Sequence, residues 1–147
     1  VGNHDYTWSS NGLIKDRTSS HYTQFIDSPL LKENVVSNFE DEFLDNIIVR
    51  IPSASDSLYC ISLEYGPRIE VIDWAKKYVD KFPNRHFILL THEYLSTDGI
   101  RLNTNSSASE QFESMNYTSP EVLWQKLIST SNNKIRALSI AMRSFHT

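Results

Sequence analysis

The fold is decided by one stretch, residues 58–92, which reads LYCISLEYGPRIEVIDWAKKYVDKFPNRHFILLTH. Its first part, residues 58–63, is apolar and rich in β-favouring side chains, which predicts a strand. Apolar residues then recur at helical spacing over residues 69–82, and Pro83 ends that pattern. Residues 87–90 are apolar throughout but too few for a helix, which predicts a strand buried on both faces. Strand, helix and strand in this order predict an α/β fold.

A second strand and a short helix are predicted upstream of this unit. Residues 46–51 and 58–63 are both β-like, and a Ser/Pro/Asp-rich gap separates them, which predicts an antiparallel pair joined by a loop. Just before them, an acidic run is flanked by apolar residues at helical spacing, which indicates a short amphipathic helix. The apolar positions of that helix are Phe39, Phe43 and Leu44.

The remaining segments give local signals. Residues 6–12 read YTWSSNG and are predicted to form a polar aromatic loop. The dipeptide Ser119-Pro120 supplies an N-cap and a proline at the first helical position, which predicts a helix to about residue 129. Trp124 and Leu127 are expected to face the core from that helix.

Composition sets the broad class. The 147 residues carry a formal net charge of −4 and are 39% hydrophobic, enough for one domain with a sizeable core. No basic cluster is present, which argues against a nucleic-acid-binding footprint. No run approaches the roughly 20 apolar residues that cross a bilayer, so no membrane segment is predicted. The single cysteine, Cys60, is expected to be a buried small hydrophobe.

The chemistry is expected at two places that are far apart in the sequence. Near the start, Gly2, Asn3, His4 and Asp5 follow one another and offer a metal-binding amide oxygen, a proton-donating imidazole and a carboxylate that can orient that imidazole. His92 follows the strand at residues 87–90, and ligands of open α/β sheets gather at the carboxyl ends of strands. Both places are therefore candidate functional sites.

These residues resemble the calcineurin-like metallophosphoesterases. The Gly-Asn-His-Asp tetrad resembles one motif block of that superfamily, and Thr91-His92 resembles the next metal-binding block. The Leu-Glu-Tyr-Gly-Pro turn at residues 63–67, followed by a helix containing Trp74-Ala75, resembles a branch that is common among bacterial and often exported proteins. The resemblance covers residue 1 to about residue 136.

The resemblance implies a fold and a mechanism. The fold would be a truncated β-sandwich flanked by helices, in αββα layers. The reaction would be hydrolysis of a phosphate ester at two divalent metal ions, usually Mn, Fe or Zn in this family. Asn3 and His92 would bind one of the metals, and His4, held by Asp5, would protonate the leaving group.

The resemblance also indicates what is missing. The Asp-x-His and Gly-Asp blocks and the closing Gly-His-x-His block do not occur in this sequence. We therefore expect residues 1–147 to be a single partial domain, a fragment with a possible frame change near Arg136, that is inactive when isolated. The alternative is a non-catalytic α/β binding or interaction domain derived from that fold. An acyl hydrolase is disfavoured because no serine lies in a Gly-x-Ser-x-Gly context.

Overall fold

The computed structural model describes residues 2–10, 12, 15–52, 58–96, 98–103, 117–132 and 134–139. The side chains of Asn3, Thr23 and residues 136–139 fall outside that description. The described residues form two sheets and several short helices, which confirms the predicted α/β class. No helix among them is long and apolar enough to cross a membrane.

The described strands and helices follow one another in a mixed order. The strands are β1 (Tyr6–Trp8), β2 (Lys15–Ser20), β3 (Val35–Asn38), β4 (Ile47–Arg50), β5 (Leu58–Ser62), β6 (His86–Leu90) and β7 (Ile135–Ser139). The α-helices are α1 (Pro29–Asn34), α2 (Ile69–Lys81) and α3 (Pro120–Leu123), and α3 continues as a π-helical turn (Trp124–Ile128). Two 3₁₀ turns are Asn3–Asp5 and His21–Phe25.

The larger sheet has the strand order β3-β4-β5-β6-β7, and β1 and β2 form a separate antiparallel pair. The predicted antiparallel pairing of β4 with β5 is confirmed. β6 runs parallel to both β5 and β7, so it is an interior strand, although β5 holds the middle position. The carboxyl ends of β5 and β6 therefore lie side by side.

Helix α2 connects β5 to β6 and covers one face of the sheet. Its bounds agree with the predicted helix to within one residue. Four side chains of α2 are buried on its core face, namely Val71, Ile72, Ala75 and Val79. They pack against the inward-facing residues of β5 and β6. In β6, Phe87 and Leu89 are fully buried, whereas Ile88 and Leu90 are half-buried. The prediction of a strand buried on both faces was therefore wrong for one face, since Ile88 and Leu90 lie on the face that α2 does not cover.

The predicted amphipathic helix around Phe39 is absent, since these residues form the turn that joins β3 to β4. The amide of Phe39 donates to the carbonyl of Asn46 over 3.0 Å, which closes that connection. Two of these apolar side chains instead pack against other parts of the protein. The ring of Phe39 lies 6.0 Å from that of Trp74, and Leu44 is buried.

Two further local predictions were wrong. Residues 6–8 form the strand β1 rather than a loop, because they pair with β2, and Tyr6 is buried while Trp8 is exposed. Leu127 faces the core as predicted, but Trp124 is exposed. A π-helical turn has more residues per turn than an α-helix, so positions three apart no longer share one face. Cys60 is half-buried in β5.

Candidate functional site

The site lies where β5 and β6 end. The amide of Leu63 donates to the carbonyl of Leu90 over 3.0 Å, which keeps the two chain segments together beyond the strands. Tyr65 and His92 follow on these neighbouring segments, with ring centroids 5.1 Å apart and the rings inclined by 62°. His92 therefore stands at the carboxyl edge of a parallel strand pair, where α/β sheets bind their ligands.

The Gly2–Asp5 segment is folded into a tight turn that lies beside His92. The amide of Asp5 donates to the carbonyl of Gly2 over 3.1 Å, and the amide of Gly2 donates to Asp5 Oδ2 over 2.7 Å. A Cβ placed on Gly2 would lie 3.6 Å from both Cε1 and Nδ1 of His92. Two motifs separated by about ninety residues in the sequence therefore lie close together, with room for no more than a methyl group between Gly2 and the His92 ring.

The tetrad residues are described to different extents. His4 is exposed and can reach a ligand from solvent, and Asp5 is half-buried. One oxygen of Asp5 is occupied by the Gly2 amide, and the pairing of Asp5 with His4 stays a prediction. The side chain of Asn3 lies outside the described part of the structure, so its role as a metal ligand also stays a prediction.

Burial lowers the pKa of His92 below the ordinary histidine value. The carboxylates of Glu93 and Asp5 oppose that shift by favouring the imidazolium, whereas His4 adds to it. Because burial is the largest cause, the pKa falls and His92 is neutral at pH 7. The neutral imidazole is the form that binds a metal ion.

Glu93 is a feature of the site that the sequence did not predict. Its backbone is in the left-handed region, with φ of 55°, a conformation that residues other than glycine rarely adopt. Its side chain is buried, and Oε2 accepts a hydrogen bond of 3.1 Å from the hydroxyl of Tyr65. Such strained residues occur often at functional sites. Its place directly after a strand-end histidine was visible in the sequence, but its backbone conformation was not.

A buried ionic network supports the turn that carries Tyr65. Glu64 is 1% exposed and accepts hydrogen bonds from Asn46 Nδ2 over 3.0 Å and from Arg68 Nε over 2.9 Å. Arg17 Nη1 lies 3.4 Å from Glu64 Oε2 and also donates to the carbonyl of Tyr65 over 3.0 Å. The turn is therefore held by charged groups from several segments of the chain, which no short motif indicates.

A small cavity adjoins His92. It lies between the strand ends and α3, and its volume is about 10 Å³, room for about one water molecule. Its walls include Gly66, Thr91, His92, Ser119 and Leu123. The cavity therefore has room for a water molecule and is too small for a phosphate ester.

Within the described ranges, no group of three or more His, Cys, Asp or Glu side chains is arranged to hold a metal ion. His92 is the described side chain best suited to a ligand role, and the carboxylates of Asp5 and Glu93 are near enough to affect its pKa. No family model, curated protein or solved structure matches this chain.

Proposed function

We propose that this chain is part of a metal-dependent phosphoesterase of the calcineurin-like type, with its site at the ends of β5 and β6. One observation carries the proposal. The Gly2–Asp5 turn lies beside His92, so the two segments that resemble the family's motifs are close together at the carboxyl edge of the sheet.

Each residue of the site would have a separate role in metal binding or proton transfer. His92, neutral at pH 7, would bind a divalent metal together with the amide oxygen of Asn3. His4 would donate a proton to the leaving oxygen, and its exposure leaves it free to meet a substrate. When bound, the pair of metals would supply an activated water and would neutralise charge on the phosphate.

The described residues fit only a part of a two-metal centre. They offer His92 as a neutral ligand and no three-residue ligand group. A neutral imidazole and a neutral amide supply geometry but no negative charge, so this chain should bind a divalent ion weakly. We expect efficient hydrolysis only where the family's Asp-x-His and Gly-Asp blocks are also present.

The experiment is a calorimetric titration of the chain with Mn²⁺, together with hydrolysis of an aryl phosphate. We expect weak binding that His92→Ala abolishes. The matched control is His86→Ala, since His86 is the exposed first residue of the same strand and lies roughly 20 Å away at about 3.3 Å per residue. Equal Mn²⁺ binding by the wild type and His92→Ala would contradict the proposal.

A non-catalytic α/β binding domain is the second candidate. It is favoured by the water-sized cavity and by the hydrogen bonds that already occupy the carboxylates of Asp5 and Glu93. This reading predicts no Mn²⁺ binding at His92 and no turnover of aryl phosphate, even after the Asp-x-His and Gly-Asp blocks are supplied in a longer polypeptide. Metal-dependent turnover in that polypeptide would exclude it.

A further inference from the structure

Lys15 carries a nearly buried amine at the start of β2. The residue pairs with Trp8 of β1 and is only 8% exposed. Lysine side chains are rarely buried to this extent unless a carboxylate accompanies them. Within the described part of the chain, however, no carboxylate lies at ion-pair distance from the Lys15 ammonium group. The β1–β2 pair therefore holds a cation that no described residue neutralises.

Two groups of β1 face this amine. Lys15 Nζ donates to the carbonyl of Tyr6 over 3.0 Å, and it lies 4.3 Å from the centroid of the Trp8 ring. The carbonyl accepts one hydrogen, and the face of the ring stabilises a positive charge. An ammonium group has three N–H donors, so these two contacts satisfy only part of its hydrogen-bonding capacity.

Burial also makes the neutral amine easier to form. Removing the ammonium group from water penalises its charge, which lowers the pKa of Lys15 below the ordinary lysine value. The neutral amine has a free electron pair, and desolvated lysines of this kind act as nucleophiles that form imines with carbonyl compounds. The Trp8 ring beside the amine is itself exposed, so the amine lies close to the protein surface.

We propose that Lys15 is a covalent binding site for a small aldehyde, which it holds as an imine against the Trp8 ring. The neutral nitrogen attacks the carbonyl carbon, and the carbonyl electron pair moves to oxygen. Proton transfer from nitrogen to oxygen gives a carbinolamine, which loses one water molecule to form the imine. The imine then takes up a proton from solvent, and the reaction needs no oxidant or reductant.

The two contacts of Lys15 fit a protonated imine better than they fit an ammonium group. A protonated imine has one N–H and one positive charge, and the site offers one carbonyl acceptor and one aromatic face. Acylation would instead give a neutral amide, which has no charge for the ring to stabilise. The low exposure of Lys15 favours a small aldehyde over a bulky ketone. This binding needs no metal ion and is independent of the proposed phosphoesterase function.

The test treats the chain with limiting acetaldehyde and sodium cyanoborohydride at neutral pH. The hydride reduces each imine to a stable ethylated lysine, and peptide mass spectrometry measures the product at every lysine. We expect more product at Lys15 than at Lys32 or Lys77, although both of these are exposed. Lys15→Met should remove the Lys15 product and leave the other two unchanged. Ethylation that follows exposure, with Lys15 below Lys32 and Lys77, would overturn the proposal.

Variants of Trp8 test the role of the aromatic face. Trp8→Ala should lower the Lys15 product to the level of the exposed lysines, because the amine becomes solvated and the imine loses its aromatic partner. Trp8→Phe keeps an aromatic face and should retain most of the product. The matched control is Trp124→Ala, since Trp124 is also exposed and its ring centroid lies 4.4 Å from Arg101 Cζ. It should leave ethylation of Lys15 unchanged. More product at Lys15 in Trp8→Ala would mean that Trp8 only shields the amine, and it would overturn the proposal.

Discussion

Replacing Glu64 by glutamine should destabilise the chain strongly. The Glu64 side chain is 2% exposed, and the Arg17 and Arg68 side chains that face it are 12% and 20% exposed. Glutamine keeps the volume and one acceptor oxygen, but it removes the negative charge and turns amide hydrogens towards a guanidinium. Two partly buried guanidinium groups then lose their main counter-ion, whereas the substituted side chain itself still fits.

The expected cost follows from that geometry. Removing one partner of a buried ion pair costs about 3–5 kcal/mol, and the remaining carboxylate of Glu40, 3.1 Å from Arg68 Nη2, compensates in part. We therefore expect a loss of about 3 kcal/mol. For a chain of this size that lowers the thermal midpoint by roughly 10 °C.

Urea denaturation followed by tryptophan fluorescence measures this loss directly. The matched control is Asp27→Asn, which removes a carboxylate from an exposed ion pair with Lys32 and should leave the urea midpoint almost unchanged. A cost for Glu64→Gln below about 1 kcal/mol would refute the reasoning, since that is the value of an exposed pair. The network would then not be what holds the Tyr65 turn.

Three further predictions concern pH dependence and packing. Burial lowers the pKa of His92, so the stability that depends on the neutral imidazole is present above about pH 6.5 and is lost as the pH falls through the lowered pKa. His92→Gln should therefore flatten the plot of unfolding free energy against pH in that range. Burial raises the pKa of Asp45, so the stability gained from its protonated form is present below about pH 4 and is lost as the pH rises through the raised pKa. Asp45→Asn should remove this decline in the unfolding free energy. Unfolding curves measured at several pH values test both. Leu127→Ala should cost about 2–5 kcal/mol in a urea titration, because Leu127 is fully buried, while Lys126→Ala on the exposed side should have little effect.

The sequence predicted the β4, β5, α2 and β6 segments because each carries a long, consistent pattern with clear boundaries. Pro67 and Pro83 bracket the helical spacing of α2, and the short apolar run of β6 leaves little choice of structure. The α/β class follows from this unit alone. These local patterns agree with the tertiary packing, which is why they could be read without it.

The remaining elements depend on partners far away in the chain. β1 has three residues, too few for a period, and exists because β2 pairs with it. Phe39 and Leu44 have helical spacing, but the pairing of β3 with β4 makes their segment a turn. Trp124 is exposed because the π-helical turn changes the spacing of faces. Tertiary context overrides local preference in each case.

The candidate site was predictable in part. The sequence indicated that His92 follows a strand, and the Gly-Asn-His-Asp motif indicated that the first turn is a candidate part of the site. The contact of Tyr65 with Glu93 could not be read, because it joins residues 28 positions apart through a left-handed backbone. The ion pair of Arg17 with Glu64 spans an even longer separation and has no sequence pattern.

The central claim, a divalent-cation site shared by the Gly2–Asp5 turn and His92, is tested most directly by Mn²⁺ titration followed by nuclear magnetic resonance. Mn²⁺ is paramagnetic and broadens the signals of nuclei close to it. Substoichiometric Mn²⁺ should remove the amide signals of Gly2, Asp5 and His92 first and leave that of His86 intact. Broadening that spares His92, or that begins at the exposed carboxylates of α2, would contradict the claim.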